Sequence, residues 1–395
     1  MSWLGEDSLR RFGKLTPERF LREYWQRKPL FVKNAVPEIA SLLAGDDLAG
    51  LALEKDVESR LVLRDGKPSL AKSWSLRRGP FRAADFRKLP ERDWTLLVQA
   101  VDHRLPELAD LLDRFSFLPQ WRVDDVMVSY AVPGGGVGPH YDSYDVFLIQ
   151  GFGSRVWKIG PQVDDSQLLP HPDLRILKGM DISDEFLCEP GDLLYLPPGY
   201  AHWGIAQEAC TTYSVGFRAP SDRELLDGFC NHLIEHTPET ERYGDPGLAA
   251  PRHPGALDTA TLERFRQRIA RLVDQPDLLA GFLGSALSDP KYATQPEPPA
   301  RRYTAAALGK KLARSVALRR HESSRFLLLA DFGTLYVDGH PLVLADRHAI
   351  ELAAVIADHR VLPAGELRSA LDHASTQALL LELCNSGHLY FPEAR

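Results

Sequence analysis

The sequence predicts an α+β chain of more than one domain: a small β-barrel or jelly roll, then a helical region, then a C-terminal module resembling a winged helix. Three observations predict it. Between Val126 and Arg218, short β-type runs alternate with Gly and Pro turns. After Pro220 the apolar spacing becomes helical. From about Ser324 the chain reads strand, turn, strand, helices and a last short β-run. At 395 residues the chain is too long for one ordinary core.

Taken in order, Thr16-Pro17-Glu18-Arg19 is a helix start, with Thr16 as cap and Pro17 in the first turn. Phe20, Tyr24 and Trp25 follow at helical spacing, and the helix should stop before Lys28-Pro29. Leu30-Phe31-Val32 reads as a short strand. The barrel strands are expected at Val126–Val132, Val146–Ile149, Val156–Ile159 and Thr211–Phe217. Leu225, Leu226, Phe229, Leu233 and Ile234 fit one helix face, as do Leu262, Phe265, Ile269 and Leu272. A Pro-rich stretch from Asp289 to Pro299 reads as a linker or long loop. Beyond it, helices are expected near His348–His359, Ala364–His373 and Gln377–Asn385, with Gly387–Phe391 as a terminal wing.

Composition narrows the function classes. The chain is 44% hydrophobic and 26% charged, which suits a globular protein and not a disordered or fibrous one. No apolar run has the length of a membrane span, and Met1–Asp7 lacks the basic start and apolar stretch of a secretory signal. Cys188, Cys210, Cys230 and Cys384 lack metal-type spacing and are expected as free thiols, so a reducing cytoplasm is the expected compartment. The net charge of −7 argues against a general nucleic-acid binder and suits a cationic partner. From Phe326 to Arg395 there are four arginines, no lysine and nine acids, a net −5 that counts against a winged helix reading DNA. A protein-contact module is the expectation there.

Two segments carry the chemistry. The first is Val132-Pro133-Gly134-Gly135-Gly136-Val137-Gly138-Pro139-His140-Tyr141-Asp142. His140 and Asp142 are two apart, so on extended backbone they share a face, and the glycines let the backbone turn tightly. The second is Pro190-Gly191-Asp192-Leu193-Leu194-Tyr195-Leu196-Pro197-Pro198-Gly199-Tyr200-Ala201-His202. A lone histidine or a lone H-x-D is commonplace. Here each histidine follows a Gly/Pro turn flanked by short strands, and 62 positions between them leave room for the rest of one barrel. Two imidazoles and a carboxylate suit non-haem Fe(II), leaving open positions for a bidentate cosubstrate and O2. Zinc and manganese stay open on ligand grounds.

Gly134-x5-His140-x-Asp142 and Gly191-x5-Pro197-x-Gly199-x2-His202 resemble the two cupin motifs. Asp142 replaces the second histidine of the first motif, its usual glutamate has no counterpart, and the second motif lacks its terminal Asn. Those departures give the two-histidine, one-carboxylate set of JmjC-type oxygenases. With Phe20–Leu30 and Pro133–Gly160 added, the chain resembles the bacterial ribosomal oxygenases of the JmjC/cupin-4 family. The resemblance implies a double-stranded β-helix (JmjC/cupin jelly-roll) catalytic domain at 1–220, a helical dimerisation region at 221–300, and a linker helix with a winged-helix-like domain at 301–395. It also implies Fe(II), 2-oxoglutarate and O2 as cofactor and cosubstrates, a homodimer, and a large-subunit ribosomal protein as substrate. The implied reaction is hydroxylation of arginine Cβ in the sixteenth large-subunit protein, ahead of histidine hydroxylation.

The far carboxylate of 2-oxoglutarate needs a cation. Arg155, in Gly153-Ser154-Arg155-Val156-Trp157, lies 15 positions after His140; related JmjC hydroxylases carry a basic residue on the corresponding strand, and a planar guanidinium grips a carboxylate with two bonds. Alternation puts Arg155, Trp157 and Ile159 on one face and Lys158 on the other; Lys158 is the competing candidate. Ser129 or Tyr130, and Ser214, are further candidates for the cosubstrate. Asp145, close after the first motif, and Arg218, at the end of the last barrel strand, are candidates for the substrate. Asp145 capping a turn and a solvated Arg218 are the plainer alternatives. Tyr195 and Trp203 are expected as packing. The basic group Arg301, Arg302, Lys310, Lys311, Arg314, Arg319 and Arg320 either meets ribosomal RNA or is a solvated helix face. A metal-dependent cupin isomerase, or a ligand-sensing regulator, would need neither Arg155 nor 2-oxoglutarate.

Overall fold

Period-two alternation along each barrel strand decides whether a side chain serves the core or the cavity. The computed structural model describes residues 15–240, 242–292 and 296–392; the Met1–Asp7 stretch lies outside the described residues. The N-terminal part supplies β1 (Leu30–Val32), β2 (Ser59–Arg64), β3 (Trp74–Arg78), β4 (Trp94–Val98), β5 (Val123–Ala131), β6 (Val146–Gln150), β7 (Arg155–Gln162), β8 (Asp184–Cys188), β9 (Leu193–Leu196), β10 (Tyr200–Ala206) and β11 (Cys210–Phe217). Eight form one antiparallel sheet in the order β1-β9-β6-β11-β5-β4-β2-β3, and β10-β7-β8 form the second. The expected barrel strands are all present, within a residue or a few at their ends.

Along β5, Val126 and Val128 face the outer core, as do Phe147 and Ile149 of β6 and Tyr213, Val215 and Phe217 of β11. That core is closed by α1 (Pro17–Glu23), α2 (Gly45–Leu51) and α4 (Pro106–Leu111), through Phe20, Leu48 and Leu108; α3 (Ala83–Phe86) is a single turn. The cap expected at Thr16 is formed, its Oγ1 accepting from Arg19 N at 3.3 Å. α1 ends at Glu23, ahead of the expected stop. The opposite faces of the same strands look into the barrel, where Val146, Leu148, Trp157, Ile159 and Leu194 pack together.

Beyond the barrel, α5 (Asp222–His236) opens with a capping box between Ser221 and Glu224. It is followed by α6 (Thr259–Val273) and α7 (Pro276–Ser288). Of the apolar face expected on α5, only Phe229 and Leu233 are buried, and α6 buries no residue at all. α7 instead packs on the C-terminal part: a Cβ added at Gly284 would overlap the Tyr336 ring, and Ser285 Oγ donates to Gly339 O at 2.5 Å.

The C-terminal part holds α8 (Ala305–Arg314), β12 (Ala317–Arg320), β13 (Phe326–Leu329), β14 (Thr334–Val337), β15 (His340–Val343), α9 (Arg347–Asp358), β16 (Val361–Pro363), α10 (Ala374–Asn385) and β17 (Leu389–Tyr390). Its sheets are β16-β12-β17 and the meander β13-β14-β15, around a core that includes Leu308, Leu335, Ile356 and Leu380. The helix expected at Ala364–His373 is only a 3-10 turn, Glu366–Leu371, because β16 occupies the preceding residues. The expected terminal wing is one short strand paired to β12.

Side chains fasten this part to the barrel. Arg319 reaches Asp110 at 2.7 Å and Pro106 O at 3.0 Å; Arg320 bonds Gln120 Oε1 at 3.1 Å and Ala357 O at 2.6 Å. Both arginines are buried. That corrects the reading of all seven basic residues as one exposed face: two of them are interface bolts. Among the described residues no helix is long and apolar enough to cross a membrane.

Candidate active site

The glycine-rich segment after β5 runs beside β10 as an added strand. Gly134 N donates to Ala206 O at 2.8 Å, and Ala206 N to Gly135 O at 3.0 Å. Four residues before Ala206 on β10, His202 exchanges both backbone bonds with His140, at 2.9 and 2.8 Å. The approach is too close for side chains, since a Cβ at Gly136 would overlap the carbonyl oxygen of Gly204. Gly138 lies at φ +83°, where only glycine is unstrained, and turns the chain into His140.

This ladder sets the two imidazoles with ring centroids 4.2 Å apart. Each ring is oriented by its own backbone: His140 Nδ1 lies 3.0 Å from Gly138 O, and His202 Nδ1 lies 2.9 Å from Tyr200 O. A carbonyl only accepts, so each Nδ1 carries a hydrogen and each Nε2 is the ring atom left to face the cavity as a ligand. Asp142 Oδ2 stands 3.6 Å from His202 Nε2, and one donor atom from each of the three residues falls within 4.8 Å of the others. Burial, with His140 beside it, lowers His202 to about 4, so it is neutral at physiological pH. Two imidazole nitrogens and one carboxylate on one face can hold a divalent transition metal.

The triad opens into a cavity of about 140 Å³ between the two sheets. Arg155, at the start of β7, lines it and is only 4% exposed. Its Nη1 lies 3.5 Å from Ser129 Oγ and its Nη2 3.7 Å from Cys210 Sγ, while its buried Nε has no partner. Among the described residues no carboxylate pairs with it. A buried guanidinium without an anion, beside a metal-ligand set, fits a dicarboxylate that chelates the metal at one end. Lys158 points to the other side, 3.6 Å from Glu185.

Ser129 and Ser214 also line the cavity. Tyr130 does not; it packs against Trp94 and Phe152. Tyr195 is fully buried packing. Two expectations are corrected. Asp145 is fully buried and faces the outer core, accepting from Tyr195 at 2.6 Å, Gln26 at 3.0 Å and Arg122 at 3.1 Å. Held by those three donors, it does not line the metal cavity. Arg218 binds Leu287 O at 3.4 Å and Asp289 O at 2.8 Å, capping the C-terminal end of α7, with Asp124 at 3.3 Å. Its guanidinium holds a helix to the barrel, outside the metal cavity.

Several cavity residues escaped the sequence reading. Asp124 and Asp125 at the start of β5, Met127, Tyr144 and Lys291 line the same space as the triad. Asp125 Oδ2 accepts from Ala100 N at 3.1 Å and Gln99 Nε2 at 3.3 Å. Burial pushes Asp125 up to about 7, and Asp102 and Asp124 add to the rise.

A jelly roll that presents two histidines and a carboxylate beside a buried arginine defines a JmjC-type oxygenase. The JmjC domain profile matches residues 110–225, and a ROXA-like winged helix profile matches 270–390. The chain is 38% identical over 374 residues to the ribosomal protein uL16 3-hydroxylase of Escherichia coli K12, covering 94% of this chain and 96% of that one. A probable ribosomal oxygenase of Haemophilus influenzae is 43% identical over 228 residues, 57% of this chain and 55% of that one. The solved structure of the E. coli ribosomal oxygenase YcfD with cobalt and 2-oxoglutarate superposes with a TM-score of 0.84 at 34% identity, covering 96% and 99% of the two chains. The chain belongs to the ribosomal oxygenase family.

Proposed function

We propose that this chain is an Fe(II)- and 2-oxoglutarate-dependent oxygenase that hydroxylates a ribosomal protein side chain, arginine Cβ of the sixteenth large-subunit protein, uL16. The observation that carries the reading is Arg155, a buried cation that pairs with no carboxylate among the described residues, across one cavity from His140, Asp142 and His202. His140, Asp142 and His202 would hold the iron, and Arg155 with Ser129 would hold the far carboxylate of the cosubstrate, with Ser214 lining the same cavity. When bound, the pair supplies the oxidising power of O2, with 2-oxoglutarate leaving as succinate and CO2 and one oxygen entering a substrate C–H bond.

The protein's own part is orientation and exclusion of water. Gly138 O and Tyr200 O fix the imidazole rings, Trp157 lies against His202 with ring centroids 5.9 Å apart, and side chains from both sheets line the cavity. Asp125 lines the same cavity as the triad, and an acid there would favour a guanidinium over an imidazole because only the former is always charged. A cupin isomerase would leave Arg155 unexplained. For a DNA-bound regulator, the net −5 of the last segment and the buried Arg319 and Arg320 count against it. We also place the enzyme in the cytoplasm, as a homodimer joined through the 221–300 region, with the catalytic domain at 1–220 and the C-terminal domain at 301–395.

The test is turnover with recombinant uL16. Fe(II)-dependent succinate formation, together with a mass gain of one oxygen on an arginine peptide, is the expected result. His140→Ala and His202→Ala should each abolish both signals. Succinate formation surviving in either variant would remove the metal assignment.

A further inference from the structure

The residues that follow α7 reach the cavity of the triad. Lys291 lines it, with Nζ 3.0 Å from Asp124 Oδ2. Tyr292 accepts from Gln99 Nε2 at 3.2 Å through its hydroxyl, and that same nitrogen stands 3.3 Å from Asp125 Oδ2. Further along, Arg325 at the head of β13 bonds Val123 O at 2.6 Å and also Asp124 O. Three side chains from beyond the JmjC match therefore converge on the two residues before Asp125 and on Asp125's own hydrogen-bond network.

We propose that Lys291 and Tyr292 are positioning residues for substrate binding, holding Asp125 as the acceptor of the substrate's cationic side chain, so that the C-terminal part completes the pocket to which it is attached. The inference rests on the cationic-substrate reading above.

Charge gives this a direction. Asp125 is 5% exposed and faces Asp124 on its own strand and Asp102 from the turn after β4. Lys291 and Tyr292 face it from the joining segment, Arg325 from β13 and Gln99 from the end of β4. Arg60 of β2 and Tyr144 line the same cavity. Burial and two neighbouring carboxylates favour the protonated acid, and Lys291 and Tyr292 oppose them. A carboxyl at about 7 is half-neutral at neutral pH, and a neutral acid attracts a guanidinium weakly. Removing the Lys291 ammonium moves Asp125 further up, so the loss is largest in acid and shrinks as rising pH ionises Asp125 again.

The experiment measures KM for recombinant uL16 at pH 6.5, 7.5 and 8.5 in wild type, Lys291→Met and Lys291→Arg. Lys291 is nearly half exposed, so neither change disturbs a core. Lys291→Met should raise the uL16 KM about fivefold at pH 6.5, on the scale of one partly exposed ion pair, and by less at pH 8.5. Lys291→Arg should restore it. The KM for 2-oxoglutarate, read in parallel, reports whether the metal end is intact. An unchanged or lowered uL16 KM, a rise of equal size at every pH, or an equal rise in the 2-oxoglutarate KM each overturns the inference. Wild type separates the two levels: if it does not hydroxylate uL16 the functional reading fails and this falls with it, whereas a turning-over wild type with an unmoved Lys291→Met KM sinks this inference alone.

Discussion

Arg155 carries a charge that the fold has taken out of water without returning an anion. Such burial costs several kcal/mol unless the ion is paired, so a residue kept there works against stability and for binding. We therefore expect Arg155→Met to raise the KM for 2-oxoglutarate about 100-fold, the scale of losing a bidentate charge-assisted contact worth ~3 kcal/mol, while the unfolding midpoint of the metal-free protein stays level or rises. A midpoint that falls by several degrees would make Arg155 a structural residue. This arginine was legible through the family resemblance, and strand parity then separates it from Lys158. Parity also explains a misreading. Tyr144 follows Asp142 by two and lines the cavity, whereas Asp145, one further, turns to the core. Closeness to a motif does not say which face a residue takes. Asp124 and Asp125 were hidden for a related reason: two adjacent acids at a strand start carry no pattern, and only the packing of Gln99, Lys291 and Arg325 around them reveals an acidic end.

At the scale of elements, metal geometry is set by the Gly134–His140 segment paired to β10, and its tolerance is small. Gly136 approaches Gly204 so closely that any Cβ must push the ladder apart, at about 1–3 kcal/mol for an overpacked contact. Gly136→Ala should thus weaken cobalt binding, followed by its visible absorption, by about tenfold or more while the far-UV circular dichroism keeps its shape. Unchanged cobalt affinity would show that the ladder does not set the spacing of the histidines. The barrel strands were legible because each is short, apolar on alternate positions and bounded by Gly or Pro. The second sheet partner of the glycine segment was not, since glycines write no side-chain pattern. Elements whose partners lie far along the chain were equally obscure: α7 reads as part of a helical block, yet it packs on β13–β15 and is capped by Arg218 from the barrel.

At the scale of the molecule, the helical region has an apolar surface that the described residues do not cover. Leu262, Ile269 and Val273 of α6 are 53%, 59% and 47% exposed, and Leu226 and Ile234 of α5 are 65% and 71% exposed. The periodicity that predicted these helices therefore marks a face that the described residues leave largely open, although Phe265 stacks on Tyr243, and sequence alone could not tell burial inside from burial between copies. A 15-residue helix holds its shape mainly through the packing of such a face, and exposed apolar patches of this extent mark contact sites. A second copy related by a twofold axis would bury both faces at once, since the same patch meets itself. Light scattering at micromolar concentration should then give twice the chain mass of 44.2 kDa. Phe265→Asp with Ile269→Asp places two charges in the proposed seam and should halve that mass, leaving the metal-bound barrel able to convert 2-oxoglutarate. If the wild-type chain runs at 44.2 kDa, or the double variant keeps the doubled mass, the apolar face of α6 is not where the copies meet.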